Sequence, residues 1–353
     1  MAHDVTVPDP SIVLDLMTAF RSSKAMFAAV SLGVFDALAE GPKSAAILAD
    51  RLHAHPQALE RLLDVCVGLQ LLKRCSNYNG PATADKNVCP TYENAPAATA
   101  YLTKSSPRRL TGYINNSNTA MWRLWANLED AVREGTHRWK QTFGSDGPIF
   151  ANFFRDEDAK REFLMGMHGF GLISSPHVVA AFDLAPFRRL VDLGGATGHL
   201  AIAACRRWGH LEAIVFDLPE AVALAQEIVT ASPFANRIRI VAGDFFVDRL
   251  PEGDLFALGR ILHDWTEEKI LELLGRIHER LRPGGAVLIA EKLLADERDG
   301  PRWAQLQDLN MLTCTEGRER TLGEYESLLR KVGFDEVTGC RTTSPLDAVL
   351  AVK

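Results

Sequence analysis

Apolar residues recur at helical spacing over residues 11–40, where Ile12, Leu14, Met17, Phe20, Met26, Phe27 and Leu32 punctuate polar positions. The stretch SLGVFDAL reads as the end of one helix and the start of a short one. GPKSAAILADRL and HPQALERLLDVCVGLQLL predict two further helices joined by HAH, with Pro56 near the start of the second, where proline is tolerated. LLKRCSNYNGPATADKNVCPTYENA is rich in Asn, Pro and Thr and predicts a small β-ribbon. Residues 107–182 keep a helical pattern, dense in aromatics (Trp122, Trp125, Trp139, Phe150, Phe153, Phe163 among them), with DGP at 146–148 breaking the run. Ordinary core accounts for any one of these rings; as a group, some are expected to line a pocket.

From residue 189 the pattern alternates. Strands are predicted at 189–193, 212–217, 237–242, 254–260, 286–291, 336–343 and 347–352, and helices at 199–207, 219–230, 266–280 and 321–332. Such alternation gives a parallel sheet with helices on both faces. The last two strands are joined by too few residues for a helical crossover, so they pair antiparallel as a hairpin. A Rossmann-like parallel sheet closed by an antiparallel hairpin is the outline of the class I S-adenosylmethionine (SAM) methyltransferases. The N-terminal sequence of three helices and a ribbon is the outline of a winged helix. The expected organisation is a helical, winged-helix-like dimerisation domain over 1–106, a helical linker and pocket segment over 107–182, and an α/β SAM-binding domain over 183–353.

Composition narrows the classes of function. The chain has 353 residues, 47% hydrophobic and 24% charged, as in ordinary globular proteins. A net charge of −6 argues against a nucleic-acid partner, because phosphate binding wants a basic surface. No apolar run is long enough to span a bilayer, and no basic segment followed by an apolar core opens the chain. The six cysteines (66, 75, 89, 205, 314 and 340) show no metal spacing and are expected as reduced thiols. A cytoplasmic protein with neither a membrane nor a nucleic-acid partner is expected.

In open α/β sheets the ligand lies at the carboxyl ends of the strands. The first strand runs into the glycine turn of RLVDLGGATGHLAIAACRRW, with Gly194, Gly195 and Gly198. Backbone N–H groups of such a turn face a ligand. The second strand ends at Asp217, placed to accept two ribose hydroxyls. The third ends at Gly243, Asp244 and Phe245: an acid for an adenine amine and a ring to stack on it. The fourth ends at Arg260, followed by Ile261-Leu262-His263-Asp264-Trp265, and the fifth at Glu291. One acid at a strand end is as readily a helix cap. Five successive strand ends with suitable polar groups make a stronger pattern.

These residues, in VDLGGATG, VFDLPE, AGDFF, ILHDW, RPGGAVLIAEKLL and LNML…TEGRERT, closely resemble the acetylserotonin O-methyltransferase group of plant-type small-molecule O-methyltransferases. SLGVFDALAEGP, ERLLDVCVGLQLL and LEDAVREG extend the resemblance over nearly the whole chain. It implies SAM as cofactor, S-adenosylhomocysteine as product, no metal, a homodimer, and transfer to a phenolic hydroxyl of a small aromatic acceptor. By the same resemblance His263 is the general base, flanked by Glu291 and Glu319. Gly194, Gly195, Asp217, Gly243, Asp244, Phe245 and Arg260 match the cofactor site. Asp264, Asn310, Met311, Cys314 and Met167 match the acceptor site.

The chemistry suits these roles. A free phenol titrates near about 10 and an imidazole near about 6.5, so full proton transfer before attack is uphill by roughly 4.8 kcal/mol. A base that takes the proton as the methyl moves lowers that requirement. Three positions depart from the group: the turn reads Gly-Gly-Ala, Cys314 stands where the animal enzymes carry a glutamine, and Gly171 falls near a tryptophan position beside the cofactor. They leave SAM binding intact and the acceptor open. Two other readings remain at this stage. One is a SAM-binding decarboxylase or hydroxylase. The other is a winged-helix DNA-binding regulator, against which the helix from 55 offers only His55 and Arg61 among apolar residues.

Overall fold

The computed structural model describes residues 8–75, 90–145 and 147–353. The chain divides into two compact units, Met1–Asn118 and Thr119–Lys353. No helix among the described residues is long and apolar enough to cross a membrane.

The first unit opens with the helix Ser11–Leu32, stopped by Gly33 in the left-handed conformation, φ 79°, before the short helix Val34–Leu38. The helices Ala45–Arg51 and Pro56–Gly68 follow. Three short strands, β1 (Lys43–Ser44), β2 (Leu72–Cys75) and β3 (Thr91–Asn94), form an antiparallel sheet with β3 in the middle. The tip of the predicted ribbon, with Cys89, lies outside the described residues. β1 was read as part of the following helix. Ser44 explains the difference: its backbone is extended and its hydroxyl accepts from Ile47 N, so it caps the helix instead of joining it. Leu59, Leu63 and Cys66 bury one stripe of the second helix against Phe35, Leu48 and Tyr92. The first helix is different: Ile12, Val13, Leu14, Leu16, Met17 and Phe20 are each at least half exposed.

The second unit begins with short helices from Trp122 to Phe153, then the long helix Glu157–Val178, capped by the Asp156 carboxylate on Ala159 N. DGP includes Asp146, which is not described. The sheet holds β4 (Arg189–Leu193), β5 (Glu212–Asp217), β6 (Ile238–Ala242), β7 (Leu255–Gly259), β8 (Ala286–Glu291), β9 (Glu336–Cys340) and β10 (Asp347–Val352). Their order is β6-β5-β4-β7-β8-β10-β9, with the first five parallel and β10 antiparallel to both neighbours. The class I methyltransferase topology expected from the alternation is therefore present. β4 and β8 are almost wholly buried, as apolar runs covered on both faces must be. Val191, Leu258, Ile289 and Val349 of the sheet pack with Leu273 and Ile277 of the helix Glu267–Arg280 and Tyr325 and Leu329 of the helix Leu322–Lys331.

β9 stops at Cys340, short of the predicted 343. The buried Asp347 carboxylate accepts from Thr342 N at 2.8 Å, Leu293 N at 3.2 Å and Lys292 Nζ at 3.0 Å, and so curls the chain around itself before the last strand. The strand order reverses between β5, β4 and β7, which marks the carboxyl end of β4 as the place for a ligand.

Candidate active site

The turn after β4 is built from left-handed residues. Gly194 has φ 64°, Ala196 φ 48° and Gly198 φ 75°. The positive φ of Gly194 favours glycine, and a Cβ there would stand 2.4 Å from Ile261 Cδ1, so that side chain would have to move. Asp217, at the end of the neighbouring β5, fixes this turn: its carboxylate accepts from Ala196 N and Leu218 N, each at 2.7 Å. Burial pushes its carboxyl up to about 6 in spite of those two bonds. Gly243 is buried against the Phe216 ring, and Asp244 and Phe245 follow it at the end of β6, half-buried. Arg260, after β7, has φ 58°, lies 4.8 Å over the Phe170 ring, and has a buried Nε without a hydrogen-bond partner among the described residues.

The glycine turn, two acids at successive strand ends, an aromatic ring beside the second and an unpaired guanidinium nitrogen suit a ligand with an adenosine end and an amino-acid end. SAM has both.

His263 sits in the single turn Leu262–Asp264 that follows β7. Its ring is gripped on one side. Nδ1 is 2.7 Å from Glu319 Oε1 and 3.2 Å from Glu291 Oε2. All three residues are at most 2% exposed. Glu291 also anchors the turn itself, because Oε1 accepts from Ile261 N and Leu262 N, both at 3.0 Å. Glu319 arrives from a loop that lies flat on the same turn. Gly317 permits this: a Cβ there would meet His263 O at 2.4 Å. Arg320, also buried, donates to Leu262 O at 3.2 Å, and Asp308 accepts from Glu319 N at 2.9 Å. Burial holds the Glu291, Glu319 and Asp264 carboxyls well above the usual carboxylate range. Asp264 Oδ1 lies 3.7 Å from His263 Nε2, beyond hydrogen-bond reach. The imidazole thus has one nitrogen committed to carboxylates and the other free to act.

Beside it lies an aromatic cluster of Trp139, Phe143, Phe150, Phe153, Phe163 and Trp265, joined by Met311 and Cys314. Asn310 stands at its polar edge. Trp125 Nε1 donates to Asn310 Oδ1 at 2.7 Å, and Asn310 Nδ2 faces Cys314 Sγ at 3.6 Å. Met167 is half-buried on the long helix and lies outside this cluster. The sequence reading missed the helix Arg302–Cys314 that carries Asn310, Met311 and Cys314, and it missed Arg320, His168 and His199 as neighbours of the site; Trp125 was among the aromatics expected near a pocket. An arginine inside the run GRERT was the available signal for Arg320.

His263, Glu291 and Glu319 also offer one nitrogen and two oxygens within 4.8 Å of one another, a grouping that could hold a metal ion.

Comparison with known proteins agrees with this geometry. An O-methyltransferase domain model matches residues 125–335, and an O-methyltransferase dimerisation domain model matches residues 14–104. The chain is 40% identical to acetylserotonin O-methyltransferase of Gallus gallus over 98% of this chain and 97% of that protein. It is 39% identical to the Bos taurus enzyme, over 97% of each chain. The solved structure of human N-acetylserotonin methyltransferase in complex with SAM superposes with a TM-score of 0.91 at 36% identity, covering 100% of this chain and 99% of that one. With domain models, full-length relatives and a shared SAM methyltransferase fold in agreement, the chain belongs to the O-methyltransferase family and is a SAM-dependent O-methyltransferase.

Proposed function

We propose that the acceptor is the phenolic hydroxyl of a small aromatic molecule such as a hydroxyindole, and that His263 is the general base. The observation that carries this reading is the one-sided grip on the imidazole. With Glu319 ionised, which the neighbouring Arg260 and Arg320 favour against its burial, Nδ1–H donates to it, and the neutral ring has its lone pair on Nε2, which can take the hydroxyl proton. The imidazolium then formed is stabilised where it sits, by Glu319 hydrogen-bonded to its other nitrogen and by the Glu291 carboxyl 3.2 Å from it. Bound SAM supplies an electrophilic methyl on a sulfonium. Gly194, Gly195, Asp217, Gly243, Asp244, Phe245 and Arg260 would hold it, and Asp264, Asn310, Met311 and Cys314 would meet the acceptor; the packing does not join Met167 to them. Trp125 fixes the Asn310 amide with its NH₂ toward Cys314, so an acceptor oxygen suits this edge better than a donor. The avian and mammalian relatives named for acetylserotonin, which carries an amide oxygen, fit that preference.

The 2.7 Å hydrogen bond between Nδ1 and Oε1 supports reading the trio as a base and its partner, and the reaction as metal-independent. The exposed apolar residues of the first helix, within a domain of dimerisation type, support a homodimer.

The test is His263→Ala with a series of phenols of falling pKa, read by mass spectrometry in the presence of a chelator. Turnover is expected to fall about 10²–10⁴-fold, less for the more acidic phenols, with SAM affinity kept. Near wild-type turnover on an unactivated phenol, or loss of wild-type activity on chelation, would refute the assignment.

A further inference from the structure

Between the long helix Glu157–Val178 and the glycine turn lie two histidines that the proposed reaction does not use. His168 Nδ1 lies 2.8 Å from Thr197 Oγ1, and His199 Nδ1 lies 2.9 Å from Ser175 Oγ. The helix thereby grips the turn on both sides of Gly198. One helical turn before Ser175 stands Gly171. A Cβ there would come within 2.3 Å of both Cγ and Nδ1 of His199. Gly171 lies in regular helix, where glycine is ordinarily unfavourable. Its backbone does not call for glycine; the imidazole fills the place a side chain would take.

The ring sits among basic neighbours. Burial, then His168 and then Arg260 push its titration down to about 3, so it is a neutral imidazole at working pH. Arg260 lies over Phe170, the residue before Gly171, and its buried Nε lacks a partner among the described residues. A neutral imidazole and a guanidinium at the end of a glycine turn make a site for an anionic oxygen pair. Ser175 orients the ring through Nδ1, which leaves Nε2 as the free nitrogen.

We propose that His199 is a cofactor-binding residue that donates from Nε2 to the carboxylate of SAM's methionyl end, beside Arg260, and that residue 171 is glycine to admit it. This rests on SAM lying along the glycine turn, as proposed above. The two histidine replacements that separate the nitrogens are His199→Asn, whose amide nitrogen falls near the place of Nδ1, and His199→Gln, whose amide nitrogen reaches toward that of Nε2. Calorimetry on the full chain would compare SAM with its decarboxylated analogue. His199→Asn is expected to weaken SAM about tenfold, the worth of one hydrogen bond to a charged group, while the decarboxylated analogue keeps its affinity. His199→Gln is expected to recover most of the loss. Gly171→Ala, whose Cβ displaces the ring, is expected to reproduce the selective loss if either histidine variant fails to fold. Equal weakening of both ligands, or of neither, would overturn the role of His199. Asp217→Ala separates the two levels. If it leaves SAM affinity unchanged, the cofactor placement fails and the proposal with it; if it abolishes binding while His199→Asn does not discriminate, the proposal alone fails.

Discussion

Replacing Asp192 with Asn is expected to make the ligand-free protein less sensitive to pH. Asp192 is the fourth of the five residues of β4, 2% exposed, and its Oδ2 has no hydrogen-bond partner among the described residues. Burial pushes its carboxyl from 3.8 up to about 7; a backbone bond from Ala201 opposes this and the nearby Asp217 adds to it. The native chain therefore holds this proton more tightly than the unfolded chain. The stability that goes with it is fully present below about pH 3.8 and is lost as the pH rises through about 7. At 1.36 kcal/mol per pH unit, ionising the group in place costs on the order of 4 kcal/mol. Asn has nearly the same shape and cannot ionise. Urea unfolding of both proteins, followed by tryptophan fluorescence from about pH 4 to about pH 9, measures the difference directly. All six tryptophans (122, 125, 139, 208, 265 and 303) lie in the unit Thr119–Lys353, so the signal reports on the fold that contains Asp192. The gap should widen in the variant's favour up to about pH 7 and then level off. A gap independent of pH would refute the reasoning, whatever its size, because a packing effect of Asn does not titrate.

Two further outcomes bear on the site and the assembly. Glu319→Gln keeps the size of the residue that touches His263 Nδ1 but removes its charge, and is expected to lower kcat about 10- to 100-fold with SAM affinity unchanged; steady-state kinetics within about twofold of wild type would show that Glu319 only packs. Leu16→Glu combined with Phe20→Glu puts two charges on the exposed apolar face of the first helix and is expected to shift the mass seen by light scattering from dimer to monomer; an unchanged mass would place any interface elsewhere.

The sheet was legible in the sequence because each strand buried on both faces is written as a continuous apolar run, and the acids at the strand ends stand out against it. The hairpin followed from the shortness of its connection. Other features do not have a local signature. β1 is two residues long and its serine serves the next helix as a cap, so pattern alone assigns it to that helix. The helix Arg302–Cys314 has polar and apolar residues spread around its axis, so no stripe announces it. His199 and Gly171 are far apart in the chain. Gly171 was noticed as an oddity, and only the packing of one helix against the turn shows that the imidazole occupies its side-chain space. Cys314, the other oddity, is explained in part: its sulfur faces the Asn310 amide, and its backbone carbonyl accepts from Trp139 Nε1 at 2.8 Å.

The antiparallel pairing of β10 has a consequence for how the site is supported. Asp347, the first residue of β10, is in register with Glu291, the last of β8, so the strand that closes the sheet ends against the acid beside the base. All the proposed site residues precede β10 in the chain and leave the ribosome before it. A chain without β10 would therefore carry the whole proposed catalytic set on a sheet whose β8 edge is left unpaired. The last strand adds no residue to the proposed site, yet it completes the hydrogen bonding of the strand on which Glu291 stands.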